Sequence, residues 1–407
     1  MSKIKDRTGN DKNNSSNALK EIIKDPNTRA EIITAIAKDI TNDAEDKIVL
    51  VVFDDEKTID LDEKTKELLS YLIAAEDPKG SKALDKNNKK YFDVSKHNQL
   101  VIYRTNNTIV GRMAGVSAGD DDSSGFDNVW IKGLIGRSTQ KKRKEIDGYK
   151  GDINGGMIGV DYMINEDSII GLSYSNLASQ LKPKDTEVPE TIKINSNIIS
   201  LYSQYNVTNK LYLQGIVSAG RNKTKKNRVV TIAGRRFQGD GKYRNVSYNI
   251  VANVGYNIKV NNDHKLFLVP SLGLNYGIHR DSEFQERGLG INNQNIKANS
   301  YNSLVGKVGS KLMMRQEITN DLVLIPEIHG SIAQDLESKT RKVETRIGLV
   351  DDYTQVRINN KDKTTYNVGT GVLAKINNIV DVNVTYDFNA RKKYQAHQGS
   401  CQIKIYF

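Results

Sequence analysis

The sequence predicts an all-β protein: a twelve-stranded antiparallel transmembrane β-barrel with a linker helix in the pore and a small mixed N-terminal region. Three observations lead to this fold class: runs of alternating apolar and polar residues, short and long polar connections that strictly alternate between the runs, and a final alternating run. In that last run Cys401, Ile403, Ile405 and Phe407 share one face. Such an ending suits a sheet that closes on itself, because closure pairs the last strand on both edges. A soluble sheet that finishes at the carboxyl terminus is the alternative for this one strand.

Twelve runs follow one another from residue 127 onward. The predicted strands cover residues 127–137, 149–164, 168–180, 191–207, 210–224, 242–259, 265–280, 296–316, 322–336, 364–376, 379–388 and 399–407. Five short turns are typical of hairpins. They alternate with long hydrophilic connections at 138–148, 181–190, 225–241, 281–295, 337–363 and 389–398. Bacterial outer-membrane barrels have this arrangement, with short turns on the periplasmic side and long loops outside.

Alternate side chains in these runs form an apolar and a polar face. In the seventh run Leu266, Leu268, Leu272 and Leu274 lie opposite Ser271, Gly273 and other polar or small residues. We expect the apolar face to meet lipid and the polar face to line a wet lumen. Four tyrosines are candidates for interfacial aromatic girdles: Tyr256, Tyr276, Tyr366 and Tyr386. Five apolar residues break the pattern, through a bulge or a contact inside the barrel: Ile198, Phe267, Val269, Val323 and Ile325.

Composition narrows the function classes. The 407 residues are 37% hydrophobic, with a mean hydropathy of −0.55. No apolar stretch reaches the roughly 18 residues that a membrane-spanning helix needs, whereas a barrel is compatible with this polarity. Cys401 is the single cysteine, which excludes an internal disulfide and a Cys-based zinc site. The net charge of +11 is dispersed along the chain, which favours anionic lipid heads or another anionic surface over nucleic acid.

The chain divides into three predicted regions: a mixed α/β or passenger-like region at 1–105, a linker at 106–125 and the barrel at 126–407. The first contains helical patterns at 18–40 and 61–75 and an apolar strand at 47–53. The linker is rich in small residues, suited to a helix or thread inside a pore or to an ordinary interdomain linker: Met113, Ala114, Gly115, Val116, Ser117, Ala118 and Gly119. The first 25 residues lack the apolar core of a signal peptide, so we expect a fragment or a split reading frame.

Several segments resemble type V autotransporter translocator domains in the expected order. They are Tyr-Lys-Gly-Asp-Ile-Asn-Gly-Gly-Met-Ile-Gly-Val-Asp at 149–161, Ile-Gly-Leu-Ser-Tyr-Ser at 170–175 and the run at 193–202. Val-Ser-Ala-Gly-Asp-Asp at 116–121 is similar to the junction before the barrel in rickettsial surface-cell-antigen autotransporters. The resemblance covers about residues 106–407. A large β-rich passenger, which full-length members carry, is not evident in residues 1–105.

The resemblance implies a barrel in the outer membrane that exports or displays an N-terminal passenger, with a helix through the pore. It also implies insertion by the outer-membrane assembly machinery, which reads the last strand, here Gly399, Cys401, Ile403, Ile405 and Phe407. The expected partners are therefore outer-membrane lipid and lipopolysaccharide, the assembly machinery, the chain's own passenger segment and a host surface. A passenger-less porin or adhesin acting through its loops is the second hypothesis, and a soluble β protein that binds polyanions is the third.

No enzymatic constellation is evident, and no cofactor or metal is expected, because the five histidines lack metal-ligand spacing. Some autotransporters cleave their own linker, for which Asn106, Asn107 and Glu327 are the candidates here. Solvated-turn and lumen polarity are the alternative roles of these residues. A basic cluster lies at a predicted outer connection, either to contact lipopolysaccharide or a host polyanion or as a solvated loop: Arg221, Lys223, Lys225, Lys226, Arg228, Arg235 and Arg236.

Overall fold

The computed structural model describes one helix and a sheet of eighteen strands. The described residues are 94–117, 127–142, 148–184, 189–232, 235–261, 265–289, 293–337, 341–347, 353–358, 362–377 and 379–407. The elements predicted within residues 1–93 and the linker residues Ala118 and Gly119 lie outside this part of the chain. The one helix in the described part of the chain is not apolar enough to cross a membrane.

The helix α1 covers Val94–Ser117. The first nine strands are β1 (Asn128–Gln140), β2 (Gly148–Asn165), β3 (Ser168–Lys184), β4 (Glu190–Asn206), β5 (Leu211–Ile232), β6 (Arg235–Tyr256), β7 (Ile258–Asn261), β8 (Leu266–Asp281) and β9 (Phe284–Arg287). The remaining nine are β10 (Gln294–Ile296), β11 (Asn299–Met314), β12 (Gln316–Thr319), β13 (Leu322–Asp335), β14 (Arg341–Ile347), β15 (Thr354–Ile358), β16 (Thr364–Ile376), β17 (Val380–Arg391) and β18 (Tyr394–Tyr406).

Twelve of the strands pair side by side, all antiparallel, and close into a barrel. Its order is β1, β2, β3, β4, β5, β6, β8, β11, β13, β16, β17 and β18, and β18 pairs again with β1. At the seam Ile131 lies opposite Ile403, and on its other side opposite Ile158. Two short strands, β7 and β12, continue β6 and β11 toward the short turns, while β9, β10, β14 and β15 belong to the long connections. The predicted fold class is confirmed.

Two predicted connections are wrong because the strands are longer than their apolar stretches. Residues 225–241 are mostly strand, since β5 and β6 pair from Leu211 opposite Tyr256 out to Ile232 opposite Arg235. Residues 389–398 likewise form the ends of β17 and β18. Above the lipid a strand needs no apolar face, and its backbone ladder continues through polar residues. Polar composition therefore marks where the lipid ends rather than where the strand ends.

The outward face is apolar, as predicted. In β18 the side chains of Cys401, Ile403 and Ile405 point away from the lumen, with Ile403 42% exposed, and the following Phe407 is 70% exposed. The four predicted girdle tyrosines are all exposed. The interior of a lipid bilayer has no water that could hydrogen-bond to backbone groups. Strands can therefore cross it only as a closed sheet in which every strand is paired on both edges. The outward apolar surface is thus the lipid-contacting surface of the barrel.

The apolar residues that break the alternation lie inside the barrel. Ile198 is buried in the cluster that packs against α1. Val269, Val323 and Ile325 form a second buried cluster with Tyr212 and Met313, and Phe267 packs at its edge. Of the two explanations left open by the sequence, contact inside the barrel therefore holds for all five residues.

Three inward aromatic side chains each lie over a glycine of the neighbouring strand. Trp130 is opposite Gly159, Tyr202 opposite Gly171 and Tyr212 opposite Gly255. A Cβ built on Gly171 would stand 2.2 Å from the Tyr202 ring. Because glycine has no side chain, each aromatic ring can lie flat against the barrel wall at that position.

We expect Gly171→Val to destabilise the barrel by about 1–3 kcal/mol, because the new side chain must displace a packed ring. Gly215→Val is the matched control, since a Cβ there meets only the Ser203 hydroxyl, at 3.6 Å. Urea unfolding in lipid vesicles measures both. Equal midpoints for the two variants would contradict the packing role of Gly171.

Candidate functional site

The pore is occupied by α1. At one end Val94 packs in a buried cluster with Tyr149, Leu181 and Tyr394, in the strand segments next to the long connections. At the other end Arg112 reaches Asp161, close to the short-turn ends of the strands. The helix therefore runs from the long-connection side of the barrel, at its amino-terminal end, to the short-turn side.

One side of α1 packs tightly against the wall formed by β1–β6. Val101, Ile102, Ile109, Val110 and Met113 are buried in a single cluster. The wall contributes Trp130, Leu134, Ile153, Met157, Leu177, Ile198, Tyr202, Ile216 and Val251. Burying these side chains stabilises the helix in the pore, since each buried aliphatic side chain contributes about 1.5–3 kcal/mol. The lumen on this side is filled by packed side chains, which corrects the expectation of a wet lumen along the whole inner face.

A buried ion pair fixes the carboxyl-terminal part of the helix. Both terminal nitrogens of Arg112 donate to Asp161, at 2.6 and 2.8 Å, and the two side chains are each 4% exposed. The Tyr202 hydroxyl donates to the same carboxylate at 2.6 Å and accepts from Trp130 Nε1 at 2.9 Å. The guanidinium also lies 4.7 Å from the centre of the Trp130 ring. We call these four residues the Arg112 cluster.

Polar contacts hold the amino-terminal end of α1 at the mouth of the pore on the long-connection side. Ser95 Oγ donates to Asp281 at 2.5 Å, and Lys96 forms an ion pair with Asp335 at 3.0 Å. The Tyr301 hydroxyl donates to the backbone carbonyl of Ser95 at 2.7 Å. Carboxylates at this end also complement the positive end of the helix dipole. Both ends of the helix are thus bonded to the barrel.

The opposite side of the lumen is open and charged. A cavity of about 200 Å³ separates α1 from β11, β13 and the strands that follow. Glu327 lies 2.9 Å from Lys311 and 3.3 Å from His329, and His329 lies 3.1 Å from Asp387. A polar cavity of this size holds several waters. The helix therefore fills only part of the pore.

The predicted linker residues occupy the lower part of α1. Met113 is buried against the wall, and Ala114, Gly115, Val116 and Ser117 continue the helical backbone. Because α1 begins at Val94, the predicted boundary at residue 106 falls within a continuous helix.

The residues considered for linker cleavage all have other partners in the lumen. The Asn106 side chain accepts from Ser218 Oγ at 2.7 Å, and that of Asn107 accepts from Lys307 at 3.4 Å. Glu327 instead pairs with Lys311 and His329, across the cavity. These contacts position the helix and line the lumen. Within the described residues no group of three or more metal-binding side chains is present.

The predicted basic cluster divides into two sets. Lys226 and Arg228 are buried, in ion pairs with Glu190 at 3.1 Å and Glu286 at 2.5 Å. They hold β4, β5 and β9 together above the barrel. The other set, which includes Arg221, Lys223 and Lys225, points outward and is exposed. The side chain of Arg235 lies outside the described residues.

The Arg112 cluster escaped the sequence analysis. Its members come from α1, β1, β2 and β4, and only the strand register brings them together. A signal was nevertheless present, because Trp130 and Asp161 stand at inward positions of predicted strands. A buried tryptophan N–H needs a hydrogen-bond acceptor, and a buried carboxylate needs a cation or hydrogen-bond donors.

Comparison with known proteins decides the family. A family model described as the autotransporter beta-domain matches residues 129–387. The chain belongs to the autotransporter β-domain family. As an autotransporter β-domain it is a translocator barrel of the bacterial outer membrane. Barrels of this membrane have their short turns on the periplasmic side and their long connections outside.

The curated relatives of this autotransporter β-domain are much longer proteins. Outer membrane protein A of Rickettsia conorii is 31% identical over 303 residues, 73% of this chain and 15% of that protein. The putative surface cell antigen sca1 of the same species is 30% identical over 299 residues, 72% of this chain and 15% of that protein. The chain thus spans a small part of the length of the relatives it matches.

A solved structure shares the fold. The translocator domain of autotransporter NalP from Neisseria meningitidis aligns with a TM-score of 0.60 at 19% identity. The alignment covers 78% of this chain and 99% of that one. At this identity the likeness concerns the barrel architecture alone.

Proposed function

We propose that the barrel displays the segment that precedes α1 on the cell surface, and that α1 then remains in the pore as its tether. The observation that carries this proposal is the direction of the helix, whose amino-terminal end lies at the outer mouth. A chain that continues upstream from that end is delivered to the outside without crossing the barrel again. Residues 1–93 would act as a passenger or its remnant.

An epitope tag at the amino terminus tests the direction of display. With a cleavable export leader supplied in front of the tag, we expect antibody to label it on intact cells. A second tag in the short turn between Asn209 and Lys210 is the control, and it should be labelled only after the outer membrane is permeabilised. An amino-terminal tag that is reached only after permeabilisation would contradict the proposal.

The occupied pore distinguishes a tethering translocator from a dedicated porin. A helix with its side chains is about 10–12 Å wide, so removing α1 from a twelve-stranded barrel opens most of the lumen. In planar bilayers we expect a variant that lacks residues 1–117 to conduct severalfold more than one that lacks residues 1–93. Equal conductance would favour the porin alternative.

We further propose that the assembly machinery recognises β18 and Phe407 through the outward face. Gly399, Cys401, Ile403, Ile405 and Phe407 all point away from the lumen or lie at that face. Before closure with β1 this edge is unpaired, and an unpaired edge is a template for pairing with another strand. Both its backbone edge and its apolar face are accessible until the barrel closes.

A further inference from the structure

We propose that the outer wall of this barrel carries a binding surface for the phosphate groups of outer-leaflet lipopolysaccharide. The surface is a basic belt on the outward face of β4, β5, β6 and β8. Its members are Lys193, Arg221, Lys223, Lys225, Lys242, Arg244 and Arg280, all exposed. This proposal rests on the outer-membrane location of the barrel and is independent of what the barrel displays.

Strand register places cations of the belt directly opposite one another. Lys225 is paired with Lys193 on one side and with Lys242 on the other. One row closer to the lipid, Lys223 is paired with Arg244. Like charges in directly opposed positions destabilise a sheet. Each of these two adjacent rows of paired cations therefore lowers the stability of the sheet, and a bound anion removes that repulsion.

The belt has little compensation from the protein. Within the described part of the chain none of its seven cations forms an ion pair. Asp240 shares the outward face two residues beyond Lys242, but it lies opposite Arg287, another exposed cation. The local excess of positive charge is thus open to an external anion.

The height of the belt matches the headgroup layer. In β5 the outward positions from Leu211 to Ala219 are apolar or glycine, and Arg221, Lys223 and Lys225 follow at once. About nine residues suffice for a tilted strand to cross the hydrocarbon, so Arg221 stands at its outer boundary. At about 2.3 Å of height per residue for a strand tilted about 45°, Lys225 lies roughly 14 Å above Ala219. Its long side chain can also bend toward the interface.

This position selects the ligand. A soluble polyanion would meet the belt only at its upper edge, whereas lipopolysaccharide places its phosphates at the junction of acyl chains and sugars, level with Arg221. The exposed Tyr248 and Ile250 on β6 supply the apolar surface for acyl chains directly below. Acyl contact beneath and cations above form one continuous lipid-binding face.

The test uses the full chain refolded into phosphatidylcholine vesicles that contain fluorescent lipid A. The variant Lys223→Gln/Arg244→Gln removes two opposed cations from the row nearer the lipid. The control Lys210→Gln/Lys259→Gln removes two exposed lysines at the short-turn rim. Each lysine or arginine near an anionic surface contributes on the order of a fivefold change in affinity, so we expect the belt variant to bind bisphosphorylated lipid A at least about tenfold more weakly. The control should bind it like the wild type.

Two further arms identify the source of the phosphate. Dephosphorylated lipid A should bind the wild type and the belt variant equally weakly, and inorganic phosphate at millimolar concentration should not compete. In neutral detergent, without lipid A, the belt variant should be at least as stable as the wild type, because repulsion between Lys223 and Arg244 is relieved. The proposal would be overturned if the belt variant bound lipid A as tightly as the wild type does. It would also be overturned if the wild type bound phosphatidylglycerol as tightly as lipid A, or if the belt variant lost heparin binding but not lipid A binding.

Discussion

Asp161→Asn should destabilise the barrel by about 3–5 kcal/mol, the usual cost of leaving one partner of a buried ion pair unpaired. The Arg112 side chain is 4% exposed and donates twice to this carboxylate, so its charge would remain buried with a weaker acceptor. Trp130, the single tryptophan of the chain, stacks on the guanidinium and reports the change directly. Its fluorescence during urea titration in lipid vesicles measures the free energy of unfolding.

The chain supplies a matched control for this prediction. Arg137 and Asp152 form a pair with nearly the same distance, 2.7 Å, but their side chains are 74% and 56% exposed. We expect Asp152→Asn to change stability by less than about 1 kcal/mol, because water screens the pair. Equal losses from the two aspartate variants would show that burial does not govern the strength of the Arg112 cluster.

Replacing both partners separates the pair from its surroundings. In Arg112→Met/Asp161→Leu no charge is left unpaired, so the double variant should be more stable than Asp161→Asn. A structural role of Asp161 in folding β2 alone would give no such recovery. If the pair tethers the helix, Asp161→Asn should also raise the frequency of open-pore events in planar bilayers, and the double variant should raise it less.

The alternation of side chains predicted the barrel because every membrane-spanning strand has lipid on one face and the lumen on the other. In β17, for example, Val384 and Tyr386 face outward while Asn383 and Thr385 line the lumen, as period two requires. The alternation fails above the lipid, where β5 and β6 continue as a polar ribbon that the sequence marks as a loop. It also fails inside the pore beside α1, where wall residues such as Ile198 are apolar on the inward face.

The candidate site was less predictable than the fold for a physical reason. The resemblance to autotransporter translocators implied a helix in the pore, but the contacts of that helix depend on which inward positions lie at the same height. That height is set by register around the whole barrel, through pairings such as Trp130 with Gly159 and Tyr202 with Gly171. Asp161 and Arg112 are 49 residues apart in sequence and meet only because of it. Local pattern contains no information on this distance.

Neighbouring residues on one strand provide the most direct test of which face meets lipid. Val384 is 54% exposed on the outer surface of β17, opposite Val372 and Cys401, whereas Asn383 lines the cavity beside α1. Val384→Lys should destabilise the barrel by about 2–4 kcal/mol, the cost of a lysine near the middle of the bilayer on a lipid-facing strand. Urea titration in vesicles gives the free energy, and heat-modifiable gel mobility gives the folded fraction.

Asn383→Lys adds the same charge one residue away, on the other side of the wall. Its ammonium reaches a wet cavity that contains Lys311 as well as Glu327 and Asp387, so we expect a smaller loss than for Val384→Lys. In detergent micelles, where the lipid-side charge can reach water more easily, the penalty of Val384→Lys should shrink toward that of Asn383→Lys. The reverse order of the two variants in vesicles would mean that the apolar face is packed inward, which is incompatible with a membrane-spanning wall. A difference that persists unchanged in micelles would assign the cost to strand packing rather than to hydrocarbon.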